Sequence, residues 1–204
     1  KLSKENKMND LDAINSWSGF RSGDENSIYQ ELAYIIKTSS IKINQNPYTI
    51  LNQDYYYYAY REPFVINLSY MNNNFIIINN HFKCCGDGVL EYDNSSDEEY
   101  RRKKSSELLK NYVDENLSEE KVIIIGDLND QLTDISTNNV FNCFLNDPTN
   151  YEFADMEIAL GAETNWSYPD WPSHLDHILI TNELYNIFSN PRSIIKTIHA
   201  ENYF

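Results

Sequence analysis

The tetrad Gly126-Asp127-Leu128-Asn129 follows directly on Val122-Ile123-Ile124-Ile125, so a carboxylate and a carboxamide appear where an apolar run stops. A short continuous run of β-branched residues reads as a strand buried on both faces. Polar groups at the carboxyl end of such a strand lie at a sheet rim, where α/β proteins commonly build sites. The oxygens of Asp127 and Asn129 suit a hard divalent cation, and the same groups can help to hold a reacting phosphate. Both residue types also favour turns, so the tetrad alone is equally a simple reversal.

Other segments supply complementary groups. His81 ends the apolar run Phe75–Asn80, at another junction of buried strand and loop. Arg61-Glu62-Pro63 opens the preceding run, and the planar fork of an arginine is a preferred clamp for phosphate. Asp176 heads the strand pattern within Ser173-His174-Leu175-Asp176-His177-Ile178-Leu179-Ile180. Tyr29-Gln30-Glu31 precedes the first strand-like segment, Glu31–Thr38. A lone histidine, or an arginine at a strand entrance, is more often structural. Spacing alone does not bring these groups together.

The elements that would position them are legible to different degrees. Pro63–Tyr70 and Phe75–Asn80 form a hairpin whose tip is the asparagine run Asn72–Asn74, since asparagine tolerates positive φ. A helix is expected from about Asp97 to Asn116, capped by Ser95 or Ser96, with acids in its first turn. Leu108, Leu109, Tyr112 and Val113 make its apolar stripe. Glu98–Arg102 and Glu99–Lys103 are i,i+4 pairs, and Arg101–Lys104 reads as a solvated face. Short strands at Ser40–Ile43, Tyr48–Leu51 and Ile178–Thr181 follow from composition, as do helical stretches near Leu11–Trp17 and Thr137–Leu145. Asn182 is placed to cap a last helix toward Phe188. Hairpins alternating with helices indicate a mixed α/β sandwich, sheets inside and helices outside.

The length of 204 residues suggests one domain, and no apolar run is long enough to span a membrane. A net charge of −15 argues against a protein that coats nucleic acid by neutralising many phosphates. It leaves room for an enzyme that grips one phosphate locally. Three cysteines make no disulfide framework; Cys143 reads as a small buried hydrophobe, and Cys84 or Cys85 could bridge to another segment.

In order, Tyr29-Gln30-Glu31, Arg61-Glu62-Pro63, Asn80-His81, Gly126-Asp127-Leu128-Asn129 and Leu175-Asp176-His177-Ile178-Leu179 resemble the endonuclease/exonuclease/phosphatase superfamily over about residues 27–190. The resemblance implies a deoxyribonuclease-like, four-layer α/β sandwich of two packed mixed β-sheets flanked by helices. It implies a divalent-metal phosphodiesterase that uses Mg²⁺, with Mn²⁺ or Ca²⁺ as alternatives. His81 then resembles the catalytic histidine, and Glu31 the carboxylate bonded to it. Tyr29 and Arg61 resemble the phosphate-contacting pair. Asp127 and Asn129 resemble the residues that orient the attacking water and hold the phosphate or a metal, and Asp176 the family's aspartate that supports a histidine. His177 takes a usually aromatic, structural position, and His174 is expected to pack.

Two signatures of the family are missing: the strand-terminal Asn with a Gln-Glu motif bearing the principal metal-binding Glu, and a Ser-Asp-His motif after residue 190. The expectation is a single domain cut at both ends. The implied substrate is nucleic acid, DNA or RNA. Alternatives are a phosphoinositide, sphingomyelin or small phosphate ester, or a catalytically silent binding module. A monomer is the further expectation; the location is left open, with secretion slightly favoured.

Overall fold

Alternation along one strand sets the layering. The computed structural model describes residues 16–23, 31–168 and 171–199. Its strand β4 (Phe64–Tyr70) buries Phe64, Ile66 and Leu68 in one apolar cluster and Val65 in another. A strand apolar on both sides requires cover on both sides.

A six-stranded sheet runs in the order β3 (Lys42–Thr49), β4, β5 (Asn73–His81), β6 (Val122–Asp127), β8 (Asp176–Thr181), β7 (Tyr151–Phe153). Only β5 and β6 are parallel, and helix α1 (Glu98–Asn116) lies in the crossover between them. Leu109 and Val113 of α1 join Val65, Ile76, Ile78, Val122, Ile124 and Leu179 in the main core. The other cluster joins Phe64, Ile66 and Leu68 to Leu32, Tyr34 and Ile36 of β2 (Ala33–Lys37). With β1 (Trp17–Arg21), β2 forms a second, two-stranded antiparallel sheet. The Tyr34 hydroxyl ties the layers together, donating to the Phe64 carbonyl at 2.6 Å and accepting from the Asn79 N–H at 3.0 Å. The fold is thus mixed α/β, with one large mixed sheet, one small sheet and helices. Short helices α2 (Asn142–Leu145), α3 (Met156–Ala159) and α4 (Tyr185–Phe188) complete it. No described helix is long and apolar enough to cross a membrane.

Several local expectations need correction. The hairpin reverses through Met71 and Asn72, both at positive φ, while Asn73 and Asn74 already pair in β5. Asp97 caps α1, accepting from the Tyr100 N–H at 2.7 Å, because a carboxylate at this position also meets the helix dipole. The two short strands at 40–51 form the single irregular strand β3, and β1 arises where no strand was expected. Only Asn142–Leu145 of the stretch from Thr137 is α-helical, and a 3₁₀ turn over Asn182–Leu184 precedes α4. The Leu11–Trp17 helix lies largely outside the described residues, and Trp17 itself opens β1.

The basic face of α1 differs most. Arg101 and Arg102 are buried. Arg101 stacks over the Tyr56 ring, 4.3 Å from its centroid. Arg102 binds Glu99 at 2.9 Å and Asp130 at 2.7 Å, while Glu98 pairs with Lys83 and Lys103 with Glu107. The i,i+4 pattern was outcompeted because loops before α1 and after β6 fold over this end of the helix.

Candidate active site

Strand register brings three of the expected residues into one row. His81 pairs with Asp127 across β5 and β6, and Asp127 pairs with Asp176 across β6 and β8. Residues directly opposite one another share a face of a sheet. The His81 Nε2 stands 3.6 Å from Asp127 Oδ2, near but beyond a direct hydrogen bond. Gly126 permits the close approach of β6 to β5: its φ is +133°, and a Cβ there would lie 1.9 Å from the Asn80 carbonyl oxygen.

Arg61 and Asn129 converge on the same rim from loops. Arg61 donates from Nε to the His81 carbonyl at 3.1 Å and from NH2 to the Phe82 carbonyl at 2.8 Å. Asn129 adopts φ 56, accessible to asparagine. Its backbone N–H donates to Asp127 Oδ1 at 3.0 Å, and its Nδ2 donates to the Phe82 carbonyl at 3.2 Å. The turn and a site at the rim are therefore compatible: the turn is what aims Asn129.

Charge in this row is unbalanced. Burial raises the Asp127 carboxyl above its ordinary value, and the Asp176 charge adds to the effect; the Asn129 N–H and Arg61 oppose it. Burial, then the Arg61 charge, lowers the His81 imidazole, while Asp176 pulls it back. The His81–Asp127 proximity is consequently not a standing ion pair near neutrality. Arg61 is itself lowered, chiefly by burial. Two carboxylates opposite each other on adjacent strands disfavour one another, and a bound cation relieves that. The donor set of carboxylate and amide oxygens at 127 and 129 fits Mg²⁺.

Glu31 is positioned otherwise. Its carboxylate pairs with Arg21 at 3.0 Å, and among the described residues no hydrogen bond or ion pair joins it to His81. Tyr29 lies outside the described residues.

A buried network beside the row was not anticipated. His174 Nε2 and His177 Nδ1 lie 2.8 and 2.7 Å from the same oxygen of Asp155, and His177 Nε2 meets the Asp130 carbonyl at 2.8 Å. Asp155 also accepts from the Ile178 N–H at 2.8 Å. Burial alone raises this carboxyl, but the histidine bonds, the His177 charge and the Ile178 N–H together outweigh burial and hold it down at about 2. These three side chains have a metal-ligand composition. Their separations are hydrogen-bond lengths, short of the roughly 3.3 Å edge of a tetrahedron with ~2.0–2.1 Å metal bonds. The network clamps β8 to the loop after Asn129, and both histidines are buried within it. Nothing in the local sequence marks Asp155, which lies about twenty residues before its partners.

A cleft of about 480 Å³ opens beside Asn129, lined in part by Cys85, Glu99, Arg102, Asp130 and Asp134. Burial and then the Asp130 charge push the Asp134 carboxyl up to about 6. The sequence marked Arg102 as a basic residue and as a partner for Glu98, but not as the group that fixes one wall of this cleft.

Similar architectures occur in solved structures. D. rerio TDP2 complexed with a single-strand DNA product is 13% identical, with a TM-score of 0.54 over 85% of this chain and 65% of that one. The human Nocturnin catalytic domain with bound sulfate is 16% identical, with a TM-score of 0.55 over 87% and 65%. The Bacteroides thetaiotaomicron mannosyl-6-phosphatase is 14% identical, with a TM-score of 0.53 over 86% and 67%. At these identities the likeness is one of fold. The chain spans 65% of the TDP2 and Nocturnin chains. No curated protein matches the chain in sequence. The sequence profile of the Endonuclease/Exonuclease/phosphatase family matches residues 9–201, which takes in every group of the rim row, and the chain belongs to that family.

Proposed function

We propose that this chain carries the centre of a divalent-metal-dependent phosphodiesterase acting on nucleic acid. The observation that supports the reading best is the row His81, Asp127, Asp176, flanked by Arg61 and Asn129. Each group has a role in hydrolysing a phosphate ester. His81, held neutral near neutral pH by burial and Arg61, is suited to accept or return a proton. Arg61 carries the positive charge that draws the phosphate to the rim. The Asn129 side chain, with its nitrogen engaged on the Phe82 carbonyl, turns its oxygen to accept from the attacking water or to ligate a cation. Asp176, opposite Asp127, supplies negative charge that holds a protonated imidazole or a cation.

Asp127 and Asn129 would hold Mg²⁺, which when bound supplies charge neutralisation for the reacting phosphate. Tyr29 remains assigned by resemblance as a phosphate contact, whereas Glu31, engaged by Arg21, is given no part in holding His81. The family contains phosphatases as well as nucleases. The single-strand DNA product in the related TDP2 structure favours a nucleic-acid substrate modestly.

The test measures cleavage of single-stranded DNA and RNA with Mg²⁺ titrated against a chelator, alongside calorimetric Mg²⁺ binding. The expected result is metal-dependent cleavage, with binding weakened at least about tenfold in Asp127→Asn. Cleavage that survives complete chelation, or unchanged binding in that variant, overturns the assignment.

A further inference from the structure

The segment after His81 carries chemistry that hydrolysis does not use. Cys84 and Cys85 are free thiols, both exposed, and their sulfurs stand 2.9 Å apart. Cys85 holds φ 72, in the left-handed region that few side-chain-bearing residues occupy.

The backbone here is held one carbonyl at a time. The carbonyls of His81 and Phe82 accept from Arg61, and that of Phe82 also from Asn129. Those of Lys83 and Cys85 accept from Arg102 NH1 at 2.9 and 2.7 Å, and that of Cys84 from Lys83 Nζ at 2.8 Å. Five consecutive carbonyls thus accept from side chains. Two of the donors, Arg61 and Asn129, belong to the rim site.

We propose that Cys84 and Cys85 form a reversible vicinal-dithiol modification site, whose oxidation to a disulfide between neighbours alters the rim at His81. The oxidant is a small-molecule disulfide. The Cys84 thiolate attacks one of its sulfurs, forming a mixed disulfide and releasing one small thiolate. The Cys85 thiolate then displaces the second small thiolate and closes the ring. The protein loses two electrons and two protons; the external disulfide gains both as two thiols. Cys85 donates its S–H to Cys84, and that bond, more than burial, raises the Cys85 thiol, which agrees with Cys84 attacking first.

Adjacent Cα atoms lie about 3.8 Å apart, under the roughly 4.4–6.8 Å of ordinary disulfides, so the bridge is strained and easily reduced. Closing the ring must reorient the peptide between the two residues. Because Arg61 and Asn129 hold the same segment, that strain reaches the His81 backbone.

The effect on turnover rests on the hydrolase reading; the bridge and its effect on the ring of His81 do not. The test treats the full chain with oxidised glutathione, blocks remaining thiols with an alkylating agent and digests with trypsin. Cleavage after Lys83 and Arg101 releases both cysteines in one peptide. The expected peptide is lighter by two hydrogens, unalkylated, and restored by a reducing dithiol. Cys84→Ser and Cys85→Ser instead retain one bound glutathione. Two alkylated cysteines, stable glutathione on the wild-type pair, or a bridge to Cys143 or a second chain overturn the proposal. In imidazole NMR spectra the His81 resonances are expected to shift on oxidation, while those of His174 and His177 stay. A bridged protein with unmoved His81 signals overturns the link to the rim. Neither readout needs turnover, so an inactive chain counts against the hydrolase reading alone.

Discussion

Arg102 and Asp130 meet at 2.7 Å with both side chains buried, joining helix α1 to the loop that follows Asn129. The same guanidinium holds Glu99 and two carbonyls of the segment after His81. One side chain thereby ties together the loops that flank the rim. Arg102→Met leaves two buried carboxylates without their cation, and the expected loss of stability is about 3–5 kcal/mol. Urea denaturation measures it. A loss below about 1 kcal/mol contradicts the buried clamp. Arg102→Lys is expected to fail nearly as badly, because an ammonium cannot reproduce the fork.

Gly126→Ala tests the packing of β6 on β5. The added methyl would sit on the Asn80 carbonyl at a φ unsuited to alanine. The expected cost is at least about 2 kcal/mol, with the rim disrupted beyond what stability alone explains. Thermal unfolding combined with Mg²⁺ binding measures both. A variant as stable as the parent refutes the close approach.

Asp155 gives a prediction with a defined pH window. Its folded value of about 2 lies below the roughly 3.9 of an unfolded aspartate. Between those values the unfolded chain binds more protons, so stability rises with pH. The contribution is complete above about pH 4 and disappears as pH falls through about 2; it amounts to about 2 kcal/mol. In Asp155→Asn it is absent. The stability gap between parent and variant is therefore expected to narrow by about that amount between about pH 5 and about pH 2. A constant gap contradicts the histidine bonds to this carboxyl.

The sequence revealed the row better than its supports. Asp127, Asn129, His81 and Asp176 each stand where a strand with strong apolar patterning meets a loop, and strand ends are readable from local composition. Register was not readable, yet register is what sets His81 beside Asp127 and Asp127 beside Asp176. The supports are long-range. Asp155 meets histidines 19 and 22 residues away, and Arg102 reaches Asp130 across 28. No periodic signal encodes such pairs. Weak patterning also hid β1, which gains its place by pairing with β2 rather than from its own composition.

The central claim is that the imidazole of His81 works on a phosphoryl group held at Asp127 and Asn129. Its most direct test is metal-dependent phosphodiester cleavage by His81→Ala, with unfolding followed on the same samples. The expected outcome is a fall in kcat/KM of about 10²–10⁴ with the unfolding temperature unchanged, since among the described residues the ring makes no direct hydrogen bond and stands 3.6 Å from Asp127. Cleavage at the parent rate in a folded His81→Ala protein contradicts the claim.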